Sequence, residues 1–260
     1  MQLTPKLVKQ LTKTGVTPYE LQQFMGESAD LAIELVRAQG LDLTLKDGRY
    51  WFSTIDLPIN DATFCIVDIE TNGSKPQKHQ IIELGAVKVL NGSIVDRYES
   101  LVKCDSISPH IAQITGITAE DTQEAPSLKS VLGEFREFLG NDIFVAHDVK
   151  FDYSFISAMM EKVSLHGLMN RSLCTIDLTE RTISSYRYGL AYLNEQLELY
   201  KEATHHRALS DAITTAKLFK RTLQYIPDEI RTTEELIRFS KEAKRLRRPK
   251  FDPAKEGSKE

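Results

Sequence analysis

No run of 18 apolar residues occurs anywhere in this chain, so nothing in it reads as a membrane-spanning helix. Met1 to Lys13 lacks the unbroken apolar stretch of a secretory signal, and the expected location is the cytoplasm. Cysteine is scarce: Cys65, Cys104 and Cys174 show no Cys-x-x-Cys spacing and read as inert thiols in a reducing compartment. An excess of positive charge is also missing. With 33 Lys and Arg against 37 Asp and Glu, the net charge is −4, so no whole-molecule field draws the protein onto nucleic acid. Any polyanion must then be gripped locally or with the help of a metal. What remains is ordinary for a soluble globular protein: 260 residues, 41% hydrophobic and 27% charged, enough for one large core or a domain with an appendage.

The most informative stretch is Phe64-Cys65-Ile66-Val67-Asp68-Ile69-Glu70-Thr71-Asn72-Gly73, an apolar run ending in two carboxylates. It reads as a buried strand. Side chains alternate along a strand, so Asp68 and Glu70 share one face near the turn at Asn72-Gly73. Two buried carboxylates that close must raise their pKa or find a cation. With no cysteine or histidine cluster nearby, hard oxygen ligands favour Mg²⁺ or Mn²⁺ over zinc.

Residues 1–59 read as a small helical module. Helical spacing of Leu3, Leu7, Val8 and Leu11 is followed by Thr17-Pro18-Tyr19-Glu20, which opens a second helix, and by a third from Ser28 to Ala38. Lys46-Asp47-Gly48 is a hairpin signal, and three helices before a hairpin is the order of a winged helix. Its basic residues are matched by acids, which places protein contact or plain packing ahead of DNA reading.

Beyond residue 60, Gln80 to Val89 and Ser93 to Lys103 are strands joined at Asn91-Gly92, giving three antiparallel strands with the Asp68 strand at one side. Thr115-Gly116-Ile117-Thr118 reads as a loop, Leu128 to Leu139 as a helix, and Ile143 to Ala146 as a short buried strand. Tyr153 to Val163 reads as a helix, Leu173 to Leu178 as a strand, and Leu190 to Leu197 and His206 to Tyr225 as helices. The expected fold class is therefore α/β, a mixed sheet with flanking helices. Residues 227–260 are expected to form one more helix from Glu234 and then a basic, solvated tail with a disordered end.

Two further acids bear on Asp68 and Glu70. Asp152 stands at a strand-to-helix junction, a position that fits an N-cap as well as a site residue. Asp211 lies among Ala208, Leu209, Ala212 and Ile213, where burial makes an unpaired aspartate costly. His206, five residues before Asp211, is the histidine with a clear role, since a neutral imidazole takes a proton from water at physiological pH.

The three blocks Val67-Asp68-Ile69-Glu70-Thr71-Asn72-Gly73, Ala146-His147-Asp148-Val149-Lys150-Phe151-Asp152 and His206-Arg207-Ala208-Leu209-Ser210-Asp211-Ala212 resemble, in this order, the DEDDh (DnaQ-like) 3′-5′ exonucleases, and in particular proofreading subunits of bacterial DNA polymerase III. The match covers roughly residues 62–226. The resemblance implies an RNase H-like fold, two Mg²⁺ or Mn²⁺ ions and release of nucleoside 5′-monophosphates from a single-stranded or frayed 3′ DNA end. It implies that Asp68 bridges both ions, that Glu70 and Asp211 complete the first, that Asp152 supports the second and that His206 is the general base. Thr71 and the loop Thr115-Gly116-Ile117 match positions that hold the terminal nucleotide. Asp148 departs from the pattern, where asparagine is frequent. The expected partner is a polymerase III catalytic subunit, with the basic tail as the contact. An RNA-directed member of the group is the alternative, and a non-catalytic scaffold sits poorly with five intact site residues.

Overall fold

The computed structural model describes residues 4–252. Thr4 caps helix α1 (Pro5–Lys13), and Thr17 with Glu20 forms a capping box on α2 (Pro18–Met25). Both helices begin at proline, where the missing N–H costs nothing. Helix α3 (Ala29–Ala38) precedes a hairpin in which Asp47-Gly48 joins β1 (Leu43–Lys46) to β2 (Arg49–Phe52). A bridge between Val16 and Tyr50 ties the first interhelical turn to the hairpin, and Leu11, Leu21, Val36 and Phe52 bury together.

This module is docked on the rest of the protein. Met169 joins its core, and the Met169 N–H donates to the Gln39 carbonyl at 2.8 Å. The Arg171 guanidinium lies 4.3 Å from the centre of the Phe52 ring and pairs with Glu234, which accepts the Thr54 hydroxyl at 2.6 Å. Gly40 sits at φ 92 where any Cβ would run into the Asn170 side chain. Packing thus claims one side of the module.

The sheet that follows contains β3 (Thr63–Thr71), β4 (Ile81–Leu90), β5 (Ser93–Leu101), β6 (Ile143–Ala146) and β7 (Ser172–Cys174), in the order β5-β4-β3-β6-β7. The first three strands are antiparallel, and β6 and β7 run parallel to β3, which gives the mixed RNase H-like sheet. Alternation along β3 divides the core in two. Cys65, Val67 and Ile69 pack under α6 (Leu128–Leu139) and α7 (Val149–Lys162), with Phe135 and Phe155 among their neighbours. Phe64 and Ile66 face the other way, toward Phe219 of α10 (Ala208–Leu223) and Leu236 of α11 (Thr233–Glu242).

Several elements differ from the sequence reading. The loop expected at Thr115-Gly116-Ile117-Thr118 is present from Gly116 to Thr118, but it joins two short helices that the sequence reading left unassigned, α4 (Pro109–Thr115) and α5 (Ala119–Thr122), each opened by its own hydroxyl cap, Ser108 and Thr118. The strand expected from Leu173 to Leu178 stops at Cys174, and Thr175–Thr182 is helix α8, with the Thr179 hydroxyl donating to the Thr175 carbonyl at 2.6 Å. A short apolar run fits a strand or a buried helical turn equally. Helix α9 (Leu190–Leu197) stands where expected.

The chain after residue 226 is also more tightly held than expected. Leu236 and Ile237 of α11 are fully buried in the main core, so ending the chain at residue 226 would expose an apolar face. Residues 244–251 expose their side chains, as expected of a solvated run, but the segment is held to the domain. Arg245 and Arg248 pair with Glu180 at 2.8 and 2.7 Å, and the Leu246 N–H donates to the Glu180 carbonyl. The expected disorder from Pro253 onward lies outside the described residues. Among the described residues no helix is long and apolar enough to cross a membrane.

Candidate active site

The site forms at the end of β3, where its register with β4 sets Asp68 opposite Gly85 and Glu70 opposite Glu83. Directly opposed residues of an antiparallel pair share a face, so three carboxylates and one bare backbone position lie together. The bare position has a reason. A Cβ on Gly85 would collide with the backbone of Ala208 and Leu209, so glycine lets the start of α10 rest on the sheet. That contact brings Asp211, in the first turn of α10 and largely buried, over Asp68 and Glu70.

Asp152 arrives from the other layer. Helix α7 begins at Val149, so Asp152 lies in its first turn, not at the N-cap, and is 5% exposed. The cap position belongs to Asp148, whose φ of 90° is left-handed, a conformation that aspartate and asparagine tolerate better than most residues. Asparagine would therefore suit the position as well.

Burial and mutual repulsion govern the charges. Asp68 is pushed well above the usual carboxylate range by desolvation first and then by Asp152, Asp211, Glu70 and Glu83. Desolvation, with Asp211 and Glu83, raises Glu70 to about 7, and Arg207 opposes the shift. Asp152 is raised well above its ordinary value by burial, against backbone hydrogen bonds at its own position and Ile69. Asp211 is raised by burial while the His206 backbone and the His205 ring pull it down. Such a cluster favours either protonation or a bound cation.

Glu70, His206 and Asp211 present ligand atoms that all lie within 4.8 Å of one another. Carboxylate oxygens with at most one imidazole suit a hard divalent ion such as Mg²⁺ or Mn²⁺. His206 precedes α10 instead of belonging to it; its φ is 62°, and its backbone N–H donates to Asp211 Oδ2 at 2.9 Å. Its exposed ring borders a cleft of about 400 Å³ lined also by Arg187, Tyr192, His205 and Asp211. His205 places Nδ1 3.4 Å from Asp211 Oδ1. His147 lies elsewhere, bonded to the Thr175 hydroxyl and the Tyr188 carbonyl, and burial lowers its pKa to about 4.

The other residues singled out from sequence are distributed as follows. Thr71 is half-buried at the end of β3, one residue past Glu70, where the pairing shifts. The Thr115 hydroxyl is inward, donating to the Ile111 carbonyl at 3.0 Å and accepting the Ile117 N–H at 3.1 Å. Ile117 is buried against Ile82 and Cys104. Gly116 ends α4 at φ 70 with open space where a side chain would stand.

Sequence reasoning missed Glu83 and Arg207. Glu83 is fully buried, takes the Arg207 guanidinium at 2.6 and 3.0 Å, and accepts the Ala208 N–H at 2.8 Å. It therefore clamps the segment that carries His206 to the strand that faces Glu70. The available signal was one acid inside the otherwise apolar run Ile81 to Val87. Glu83→Ala should destabilise the fold by about 1–3 kcal/mol through the Ala208 N–H alone. It should also lower kcat by loosening His206, whereas Glu83→Gln, which keeps an acceptor, should retain more of both. Thermal melts and turnover of the two variants check this.

A family model described as Exonuclease matches residues 65–219, which contain all of these acids and His206. The chain belongs to the exonuclease family. A PolC-type DNA polymerase III of Thermotoga petrophila is 40% identical over 170 residues, a stretch that is 65% of this chain and 12% of that protein. The chain thus spans only a small part of the curated relatives it matches. Among solved structures, exonuclease X in complex with 5′ overhanging duplex DNA is 26% identical with a TM-score of 0.56, covering 68% of this chain and 99% of that one. E. coli exonuclease I with a dA16 oligonucleotide has a TM-score of 0.57 at 15% identity, over 64% of this chain and 42% of that one, a likeness of fold. The protein is accordingly an enzyme of the nuclease class with an RNase H-like fold, in a family that uses divalent metal.

Proposed function

We propose that the protein is a 3′-5′ exonuclease that removes nucleoside 5′-monophosphates from single-stranded or frayed DNA ends, proofreading beside a replicative polymerase. The observation that carries this reading is the gathering of Asp68, Glu70, Asp152, Asp211 and His206 at the end of β3 from three elements, β3, α7 and α10, and the turn that precedes α10. Asp68, Glu70, Asp152 and Asp211 would hold two divalent ions, Mg²⁺ or Mn²⁺. Bound there, the ions supply Lewis acidity to the scissile phosphate and to the attacking water. His206, exposed at the cleft, accepts the proton of that water. Thr71 and the Gly116 edge of the α4 turn hold the terminal nucleotide, which is unstacked from its neighbour. The PolC relatives join a like segment to a polymerase, which supports a catalytic subunit as partner. The exposed Lys244, Arg247 and Lys250 are the proposed contact, since Arg245 and Arg248 are already paired with Glu180.

The test is hydrolysis of 5′-labelled substrates in Mg²⁺ or Mn²⁺: a DNA primer with a 3′ mismatch, the matched primer, and an RNA of the same sequence. Stepwise shortening from the 3′ end, fastest on the mismatched primer, is expected. Activity confined to RNA would overturn the DNA assignment, and shortening from the 5′ end would overturn the polarity.

Metal should also stabilise the fold in a pH-dependent way. Glu70 has a folded pKa near 7 against 4.5 for the free side chain, so its favourable contribution is complete below 4.5 and is lost as pH rises through 7. The repulsion that ions relieve is thus greater at about pH 8 than at about pH 5. At a hundredfold excess over Kd, Mg²⁺ or Mn²⁺ should add about 2.7 kcal/mol. For a chain of this size that is about 5–10 °C in Tm near neutral pH or above. Little gain is expected at the acid end. Melts with EDTA or metal at both pH values check it.

A further inference from the structure

The segment after α11 returns to the active-site cleft. The Ala243 carbonyl accepts from Arg181 at 2.8 Å, the Arg247 carbonyl accepts the Ser184 hydroxyl at 2.8 Å, and the Arg248 guanidinium lies 4.9 Å from the Tyr188 ring centre. The described chain ends at Asp252, which is 9% exposed. Its Oδ1 accepts the Tyr192 hydroxyl at 2.8 Å, and its Oδ2 lies 3.8 Å from the Arg187 guanidinium. Arg187 and Tyr192 both line the cleft that holds His206 and Asp211.

A guanidinium and a phenol hydroxyl that converge on a carboxylate present the same donors to a phosphodiester. The Arg187 guanidinium also lies 5.7 and 5.9 Å from the ring centres of Tyr186 and Tyr192, so rings suited to stacking bases border the same spot. The acids of the reaction centre repel a strand's phosphates, and a cation at the mouth of the cleft is where the strand needs one.

We propose that Arg187 and Tyr192 form a subsite for an upstream phosphodiester of the bound strand, and that Asp252 fills it in the free protein as a carboxylate in the place of phosphate. Residues 243–252 are then a strap that the substrate displaces. The inference rests on the nucleic-acid hydrolysis proposed above and adds to it a specific anion site and a built-in competitor.

The test uses the full chain, its Asp252→Asn and Arg187→Ala variants and the double variant. One probe is a single-stranded oligothymidylate. The other is a nitrophenyl ester of thymidine 5′-monophosphate, which has no upstream phosphodiester. Freeing a subsite that its competitor holds most of the time lowers the apparent KM in proportion, here by about fivefold for the oligonucleotide in Asp252→Asn. Turnover of the ester by Asp252→Asn should not change. Arg187→Ala should weaken oligonucleotide binding, and Asp252→Asn should have no further effect in that background. Fluorescence anisotropy of the labelled oligonucleotide with Ca²⁺ gives the same comparison without turnover. Wild-type protein that hydrolyses neither probe would sink the proposed function, while anisotropy would still decide on the subsite. Unchanged KM and affinity in Asp252→Asn, with normal wild-type hydrolysis, would overturn the strap alone and leave residues 243–252 as structural packing. Arg187→Ala, at an exposed side chain, tests the subsite even if Asp252→Asn does not fold.

Discussion

Asp68→Asn is expected to lose at least about 100-fold in kcat with Mg²⁺ or Mn²⁺, the scale of losing a metal-assisted step, and yet to melt higher than the wild type in EDTA. Both effects come from one geometry. Asp68 is above all desolvated, and Asp152, Asp211, Glu70 and Glu83 all press upon its charge as well. An amide of the same shape removes one negative charge from the middle of the cluster without opening a cavity. Its neighbours then ionise more easily, and the metal-free fold is relieved of a cost it otherwise carries. The sign with pH follows. A carboxyl whose folded pKa is raised costs stability as pH climbs, so the gain of Asp68→Asn in EDTA should be largest at alkaline pH and vanish below about pH 4, where free aspartate is itself protonated. Adding metal should reverse the order of the melts, because the wild type then gains and the variant gains less. Retention of even about a tenth of wild-type kcat would show that Asp68 is not a ligand the reaction needs. A lower Tm in EDTA would show that its role is structural.

Which features were legible follows from how local their signals are. The strand of Asp68 was readable because its apolar residues run unbroken and its two acids are spaced by the strand period, all within ten residues of sequence. The capping box of α2 and the Asn91-Gly92 turn were readable for the same reason. Glu83 was not, because its meaning comes from Arg207 and the Ala208 N–H, more than a hundred positions away, which meet it only when α10 crosses β4. The end of β7 was misread because nothing in Leu173 to Leu178 distinguishes a strand from a buried turn of helix; tertiary packing decides. The C-terminal segment was misjudged through charge. Its arginines are exposed, as a solvated run would be, but two of them, Arg245 and Arg248, also reach Glu180, itself buried on α8, across the fold. Sequence exposes what a segment does with itself, and conceals which distant group will satisfy it.

His206→Ala should lower kcat by ~10²–10⁴, the worth of a positioned general base, with a smaller change in KM. His205→Ala should cost much less, about tenfold or below, and the two positions differ for a structural reason. His205 sits beside Asp211, with Nδ1 3.4 Å from a carboxylate oxygen, so removing it leaves an acid that the His206 backbone N–H still holds. His206 instead presents its ring to the cleft, with a ring nitrogen within 4.8 Å of oxygens on both Glu70 and Asp211. Its backbone has φ 62, a conformation asparagine adopts at little cost, so His206→Asn separates loss of the imidazole from backbone strain. His206→Asn and His206→Ala should therefore lose similar activity, while the asparagine variant melts closer to wild type. Free imidazole should restore part of the rate to His206→Ala, since the vacated position is exposed to solvent. Equal losses at the two histidines would mean that the pair acts as a unit. A larger loss in His205→Ala, or rescue of that variant alone by imidazole, would assign the proton transfer to His205 and leave His206 as a ligand beside Glu70 and Asp211.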